Sequence, residues 1–167
     1  MSESALSARL QPSLLDRLTD DNPGESSEPS NKRTLSATEL RRAVVRDLQW
    51  LLNTNALSSS TDLSDYPEIM RSTVNYGVPD LSGHMVASFE VDALAKLIRE
   101  AIINFEPRID PQALHVTGDL SLDEMGSKAL VFTIDAEVYA QPGSMHLMLK
   151  TTVDLDSGDV DISETAG

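Results

Sequence analysis

The chain has 167 residues, and its 13 Lys and Arg stand against 27 Asp and Glu, which gives a formal charge of −14 at pH 7. This balance argues against nucleic acid or an anionic membrane surface as a main partner, because binding to either depends on basic side chains. Cysteine is absent, which excludes disulfides, thiolate metal ligands and thiol nucleophiles.

The N-terminal segment carries leucines at helical spacing, with an interruption at Pro12. It lacks the basic and apolar regions of a secretory leader, and no segment approaches the roughly 20 apolar residues of a membrane span, so we expect a cytosolic protein without membrane insertion. Residues 20–31 contain no large apolar side chain and predict a flexible linker. We therefore divide the chain into an anchor segment at 1–19, a linker at 20–35 and a single domain at 36–165. The anchor packs either on its own domain or on a neighbour.

The domain begins with a strong helix signal. Ser36 followed by Glu39 predicts a capping box. The apolar stripe after it consists of Leu40, Val44, Leu48, Leu51 and Leu52. Arg41, Arg42 and Arg46 lie off this stripe and are expected to be exposed. A solvated helix face is the plain interpretation, but Arg42 and Arg46, neighbours at i and i+4, are also candidate contacts for a partner.

Two further helices are predicted before the pattern changes. Pro67 suits a first helical turn and Gly77 suits the residue after a helix end, which indicates a short helix between them. Ser88 is expected to cap a third helix, which should end at Glu106 because Pro107 disfavours helical backbone in the residue before it. The buried face of the third helix is predicted to hold Val91, Leu94, Ile98, Ala101, Ile102 and Phe105.

From residue 114 onward, apolar residues alternate with a period of two, as in half-buried strands. The first strand allows for a bulge at Gly118, and a type II turn is predicted at Pro142-Gly143. The predicted inward positions are Leu114, Val116, Leu120, Leu122, then Leu130, Phe132, Ile134, Ala136, Val138, then Met145, Leu147, Leu149, Thr151, Val153, Leu155, and finally Val160 and Ile162. Helices followed by strands predict an α+β domain, in which the N-terminal helices pack on one face of a mostly antiparallel C-terminal sheet.

Most of the excess negative charge lies in the last third. Residues 110–167 hold two lysines against 11 acidic residues. Asp119, Asp135, Glu137 and Asp154 are predicted to share the polar face of the sheet. The plain interpretation is solubility, and the functional one is a surface that steers a basic partner.

Sequence motifs for enzymatic chemistry are weak. The glycine-rich phosphate-binding motifs and the Gly-x-Ser-x-Gly nucleophile motif are missing, and the three histidines are far apart, so no cofactor or metal is expected. Asp135 and Glu137, at i and i+2 of one strand, would lie roughly 7 Å apart, which overlaps the carboxylate spacing of inverting glycosidases. Exposed carboxylates on a polar strand face lack the desolvation that raises a catalytic pKa, so we do not assign catalysis to them.

The tripeptide Glu106-Pro107-Arg108 directly follows the third helix. Proline fixes its own backbone angle φ and keeps the residue before it extended. Opposite charges are therefore expected on a stiff backbone, which favours recognition because little conformational freedom is lost on binding. A plain surface loop is the alternative.

Four stretches of the chain together resemble a known family. They are Pro12-Ser13-Leu14-Leu15-Asp16-Arg17-Leu18, Leu48-Gln49-Trp50-Leu51-Leu52-Asn53, Asn75-Tyr76-Gly77-Val78-Pro79-Asp80-Leu81 and Phe105-Glu106-Pro107-Arg108. The chain is similar to the TssE family, the baseplate subunits of the bacterial type VI secretion system. TssE belongs to a larger family that is named for a phage tail baseplate wedge protein and labelled lysozyme-like.

The resemblance implies a structural role. Such a subunit sits in the wedge of a baseplate at the bacterial inner membrane, docks on the helical wedge core, and starts the contractile sheath by strand exchange with the first sheath ring. It implies partner contacts at Glu106, Pro107 and Arg108, and we add Tyr76, Gly77, Arg42 and Arg46 as candidates. The implied partners are baseplate wedge proteins and sheath subunits.

Two alternatives remain open at this point. A peptidoglycan hydrolase would take the lysozyme-like label literally, with Glu90 and Glu106 as conceivable acids. Seven aromatic residues and a charge of −14 suit neither a sugar-binding cleft nor an anionic cell wall. The other alternative is a wedge component of a phage-derived tail outside a secretion system. We therefore predict a protein that is not an enzyme.

Overall fold

A computed structural model describes residues 12–19, 24, 35–80, 88–122, 128–140, 143–154 and 157–165. Its α-helices are α1 (Leu14–Leu18), α2 (Ala37–Leu52) and α3 (Ser88–Phe105). Its strands are β1 (His115–Leu122), β2 (Lys128–Tyr139), β3 (Ser144–Val153) and β4 (Val160–Glu164). Short 3₁₀ turns lie at Leu57–Ser59, Ile69–Arg71 and Thr73–Asn75. The element order confirms the predicted α+β class.

The start of α2 follows the predicted capping box. The Ser36 hydroxyl accepts a hydrogen bond from the Glu39 amide, and the Glu39 carboxylate accepts one from the Ser36 amide. Two of the amide groups that a helix start leaves unpaired are thereby satisfied. All five residues of the predicted stripe are buried. The apolar stripe thus faces the core along the whole length of α2.

The sheet is an antiparallel meander in the order β1-β2-β3-β4. In its register His115 pairs with Asp135, Leu130 with Val153, and Val153 in turn with Val160. The predicted alternation is confirmed in β2, where Leu130, Phe132, Ile134, Ala136 and Val138 are fully buried. The buried side chains of α2 and α3 join this face in one hydrophobic core. The opposite face carries the polar residues of the strands.

The prediction of a short helix between Pro67 and Gly77 is wrong. The segment instead forms the two 3₁₀ turns on either side of Ser72. The Ser72 hydroxyl accepts from the Val74 amide, and the buried Asn75 side chain bonds the backbone of Ser58 and Met70. Such side-chain bonds to nearby backbone compete with the regular helical ladder, and here they replace it.

Helix α3 ends at Phe105, one residue before the predicted end at Glu106, and it already includes Ser88. The residues just before Ser88, and its side chain, lie outside the described part, so the predicted cap stays a prediction. Pro142 of the predicted turn and Leu155, a predicted inward residue, also lie outside the described part, so these two assignments stay predictions. Gly143 has a φ of 109°, and its carbonyl accepts a hydrogen bond of 3.0 Å from the Ala140 amide.

No bulge occurs at Gly118, where the expectation from sequence is wrong. The register of β1 and β2 runs unbroken, and Gly118 pairs with Phe132. A Cβ atom at this position would lie 2.4 Å from Val91 Cγ1 and 2.7 Å from the Phe132 ring. The glycine is therefore required by the close approach of α3 to β1.

Replacing Gly118 by Ala is expected to lower the free energy of unfolding by about 1–3 kcal/mol, because the added methyl overpacks the contact between α3 and the sheet. Urea denaturation of the full chain measures this. The matched control is Gly24→Ala, where nothing lies within 4 Å of the added atom. Equal stability of the two variants would contradict this account of Gly118.

Candidate docking site at the end of α3

The tripeptide Glu106-Pro107-Arg108 is held by backbone hydrogen bonds on both sides. The Glu106 amide closes the last turn of α3 with a bond of 2.8 Å to the Ile102 carbonyl. The Arg108 carbonyl accepts from the Tyr139 amide at 2.8 Å, and the Asp110 amide donates to the Glu137 carbonyl at the same distance. The tripeptide thus joins the end of α3 to the end of β2, and these bonds support the expected stiffness of its backbone.

The two charges of the tripeptide face each other rather than solvent. Glu106 is only 3% exposed. Its Oε1 accepts from Arg108 Nε at 2.6 Å and from the Arg108 amide at 3.1 Å, and its Oε2 accepts from Arg108 Nη2. The expectation of two outwardly presented charges is therefore corrected, because a buried carboxylate must be paired.

A second carboxylate, from α2, completes the arrangement. Asp47 Oδ2 accepts from Arg108 Nη2 at 2.5 Å. Burial by itself acts to lower the pKa of Arg108, but the hydrogen bonds and charges of Glu106 and Asp47 outweigh it, and the pKa is raised. Arg108 is therefore a permanent cation. Its Nη1 is buried and has no hydrogen-bond partner among the described residues.

The ion pairs continue from Asp47 to α1. Arg46 donates to Asp47 Oδ1 from Nε at 2.9 Å and from Nη2 at 2.7 Å, and its Nη1 donates to Asp16 Oδ1 at 2.6 Å. Burial acts to raise the pKa of Asp16, but the bonds from Arg46 and Ser13 are stronger and the pKa is lowered. One chain of alternating charges therefore connects the N-terminal helix with the end of α3.

An open groove of about 490 Å³ lies above these charges. Its apolar lining consists of Leu15, Trp50, Leu51, Tyr76, Phe105 and Pro107. The rings of Tyr76 and Phe105 meet edge to face with centroids 5.3 Å apart. Trp50 remains 47% exposed, and the Arg46 guanidinium lies over its ring at 4.9 Å. Exposed aromatic surface beside fixed charges is typical of a protein-binding site.

Helix α1 borders the groove without burying its own apolar side chains. Leu14 is 70% exposed and Leu18 is 74% exposed, and no residue of α1 is buried. The charge of Asp16, rather than its leucines, ties this helix to α2. The boundaries proposed for the anchor, the linker and the domain stay a prediction.

The predicted partner residues are only partly brought together. Tyr76 lines the groove beside the tripeptide, and Arg46 borders it over Trp50. Arg42 is exposed but does not line the groove. Gly77 is buried with a φ of 130°, and a Cβ atom there would lie 2.2 Å from the Thr54 carbonyl oxygen. Gly77 can therefore affect binding only through the backbone conformation that positions Tyr76.

The expected exposure of the three arginines of α2 is confirmed only for Arg42. Arg41 is half-buried and bonds Glu164 at 3.0 Å, and Arg46 is half-buried in its two ion pairs. Their burial follows from carboxylates far away in sequence, on β4 and α1. A helical wheel shows which face they share but not what covers it.

Sequence reasoning missed the roles of Asp47 and Trp50. Asp47 directly follows Arg46 on the polar face of α2, and the sequence alone does not distinguish it from a solvated residue. Trp50 is the single tryptophan of the chain, and its place off the apolar stripe of α2 was an available signal. Phe105 and Asp16 stood within the stretches that carry the family resemblance but were not assigned to the site.

Among the described residues of the sheet, the polar face offers no comparable site. Asp135 Oδ1 lies 2.7 Å from His146 Nε2, and both side chains are largely exposed. No group of three or more His, Asp or Glu residues in the described part of the chain is placed to hold a metal ion. Among the described helices, none has the length and apolar character to cross a membrane.

The comparison with protein families covers most of the elements that build this site, but not α1. The model of the family described as baseplate wedge protein gp25 matches residues 38–143, which include α2, α3, β1 and β2. The chain belongs to this family. No curated protein matches the chain. Membership in the gp25 family confirms the resemblance seen in the sequence and supports a structural role in a phage-tail-like baseplate, among other baseplate components.

Replacing Glu106 by Gln should lower the free energy of unfolding by about 2 kcal/mol, because Arg108 keeps Asp47 but loses its buried counter-charge. Urea denaturation measures the change. Glu100→Gln on the exposed face of α3 is the matched control and should stay within about 0.5 kcal/mol of wild type. A Glu106→Gln variant as stable as the control would show that the buried pair contributes little.

The attachment of α1 should depend on pH. The pKa of Asp16 lies below its ordinary value of 3.8 in the folded protein, so its contribution is complete above that pH and is lost as the pH falls through the lower, folded value. The fluorescence of Trp50, which lies against Arg46, reports the change. Asp16→Asn should abolish the transition, and an unchanged transition in that variant would assign it to another group.

Proposed function

We propose that this protein is a structural, non-enzymatic subunit of a type VI secretion system baseplate. In this proposal it docks on the wedge core through the groove at the end of α3 and initiates the contractile sheath by strand exchange with the first sheath ring. It acts in the bacterial cytoplasm, in a baseplate docked at the inner membrane. The single observation that carries the proposal is the clamped Glu106-Pro107-Arg108 tripeptide beside an exposed aromatic groove, within a chain of the gp25 family.

The geometry of the groove suits docking for two reasons. Its backbone is fixed by hydrogen bonds to α3 and β2, so binding orders few additional groups. Trp50, Tyr76 and Pro107 offer rigid apolar area, and side chains of this kind dominate the energy of protein interfaces. The charges of Glu106 and Arg108 then act mainly by holding the groove in shape. Arg46 contributes at its border, and Arg42 is assigned to a partner contact outside the groove.

The secretion system is favoured over another phage-derived tail by the N-terminal segment. The stretch from Pro12 to Leu18 resembles the TssE family, and its leucines are exposed beside the groove. A helix of five residues is too short to be stable alone. We therefore assign residues 1–19 to an anchor segment whose leucines are buried by packing on a neighbouring wedge protein.

A structural role also fits the carboxylates that a hydrolase would need. Both oxygens of Glu106 accept hydrogen bonds from Arg108, so neither faces the groove as a free proton donor. Asp135 is bonded to His146 on an exposed strand face. These contacts support binding rather than general acid catalysis at the described carboxylates.

The docking proposal is tested with the tagged full chain purified from its native host. Glu106→Ala/Arg108→Ala and, separately, Trp50→Ala should each reduce recovery of the wedge proteins at least about tenfold, because both remove part of the groove. Circular dichroism establishes that each variant is folded. If the double variant is not folded, Trp50→Ala still tests the groove, because removing a largely exposed side chain should leave the fold intact.

The matched control is Lys96→Ala/Glu100→Ala, which removes one charge of each sign from the exposed face of α3. It should recover the wedge proteins like wild type. Folded groove variants that retain every partner would show that the groove is a plain surface. A wild-type chain that recovers no baseplate protein would refute the proposed function itself, and a cell-wall hydrolysis assay would follow.

A further inference from the structure

A loop that is closed at its base follows α2. The Val78 amide donates to the Thr54 carbonyl at 2.8 Å, and the Ala56 amide donates to the Val78 carbonyl at 2.9 Å. Asn55 and Val78 thereby form a parallel bridge. We call residues 54–78 the bridged loop. Its two ends are held together by backbone hydrogen bonds.

The interior of the bridged loop is fixed as well. Four successive turns lead from Leu63 to Asn75, and each is closed by a backbone hydrogen bond of 2.9–3.0 Å between residues three apart. The buried Asn75 side chain accepts from the Ser58 amide at 2.8 Å and donates to the Met70 carbonyl at 3.1 Å. A partner that binds this loop therefore has to order few further backbone groups.

Three large apolar side chains of the bridged loop remain exposed to solvent. Tyr66 is 60% exposed, Met70 is 43% exposed and Val74 is 67% exposed. They lie within nine residues of sequence, and each of the successive turns brings its first and last residues within about 7 Å. Tyrosine and methionine are enriched in the buried centre of protein interfaces. Several such side chains on one rigid loop, rather than a single one, indicate an interaction surface.

The charges of the bridged loop indicate which kind of partner suits it. Asp62, Asp65 and Glu68 are exposed, and Arg71 is the only basic residue of the loop. None of the three carboxylates forms an ion pair with another described residue. The carboxylates of the groove, by contrast, already have cationic partners within the chain. Basic side chains of a partner are therefore complementary to the loop.

We propose that the bridged loop is a second binding surface, separate from the groove, and that it binds a protein segment that carries both apolar and basic side chains. The apolar side chains of this segment cover Tyr66, Met70 and Val74, and its lysines or arginines pair with Asp65 and Glu68. The apolar contacts supply most of the affinity, and the charge pairs orient the segment. This binding goes beyond the proposed baseplate function and does not depend on it.

NMR titration of the full chain with a synthetic amphipathic helix of about 14 leucine and lysine residues tests the proposal. The peptide should shift the backbone amide signals of residues 62–75 and leave those of Trp50, Phe105 and the central strands in place. A peptide with serine in place of each leucine should bind at least about tenfold more weakly. A peptide with glutamate in place of each lysine should also lose at least about tenfold.

A charge-matched pair of variants separates a specific contact from general attraction to an acidic protein. Asp65→Lys/Glu68→Lys should weaken binding of the leucine–lysine peptide by at least about tenfold. Asp119→Lys/Asp161→Lys makes the same change in net charge at exposed positions of β1 and β4. This control should bind within about threefold of wild type, because salt screens distant charges. All four side chains are exposed, and circular dichroism establishes that each variant is folded.

Photocrosslinking in the native host tests the chemistry of the natural partner. The full chain carries p-benzoylphenylalanine in place of Tyr66, and mass spectrometry identifies the peptide that it captures. This peptide should contain at least two basic and two apolar residues within about ten positions. The control carries the same group in place of Leu97, an exposed residue of α3, and should not capture that peptide.

The outcomes distinguish this proposal from the proposed function. Amide shifts centred on the sheet or the groove, or a control variant that loses as much affinity as Asp65→Lys/Glu68→Lys, would overturn the binding surface. A captured peptide without basic residues would overturn the stated partner chemistry. If the chain recovers wedge proteins but Tyr66 captures nothing, the loop assignment is wrong and the groove assignment stands. If the peptide and crosslinking results are as expected but no wedge protein is recovered, the proposed function fails and the loop assignment stands.

Discussion

The architecture of the site depends on the need to neutralise one buried carboxylate. Glu106 lies at the end of α3 with almost no access to water, and an unpaired charge there would be strongly unfavourable. Arg108 meets this need because Pro107 turns the chain back toward the helix end, and Asp47 shares the same guanidinium. The contact therefore fixes α2, α3 and β2 relative to one another, and the groove is the surface that remains between them.

The local parts of the fold could be predicted from the sequence, and the parts set by distant contacts could not. The capping box at Ser36 and the alternation through Phe132 depend on neighbouring residues, and both were correct. The need for glycine at position 118 depends on Val91, which a single sequence does not place beside it. For the site, the stiff tripeptide was predicted, but the partner of Arg108 was not, because Asp47 is 61 residues away.

The N-terminal segment can contact its own domain and still bind a neighbouring protein, as helix α1 shows. Its charged side contacts its own domain through Asp16 and Arg46. Its leucines remain exposed, so the apolar area that would favour a firm attachment contributes little to the free chain. The partly exposed ion pair gives orientation more than affinity. The segment is thus held in place by charge and left available for burial by a partner.

The strictly sequential order of the four strands has a kinetic consequence. Each strand pairs with the next one along the chain, so the sheet is built from hairpins whose closure spans few residues. Such local contacts favour rapid folding. The bond between Asn53 and Val160, by contrast, joins residues 107 positions apart. We therefore expect the strands to associate early and the C-terminal end of α2 to dock on β4 late, so that the helix closes over a sheet that has already formed.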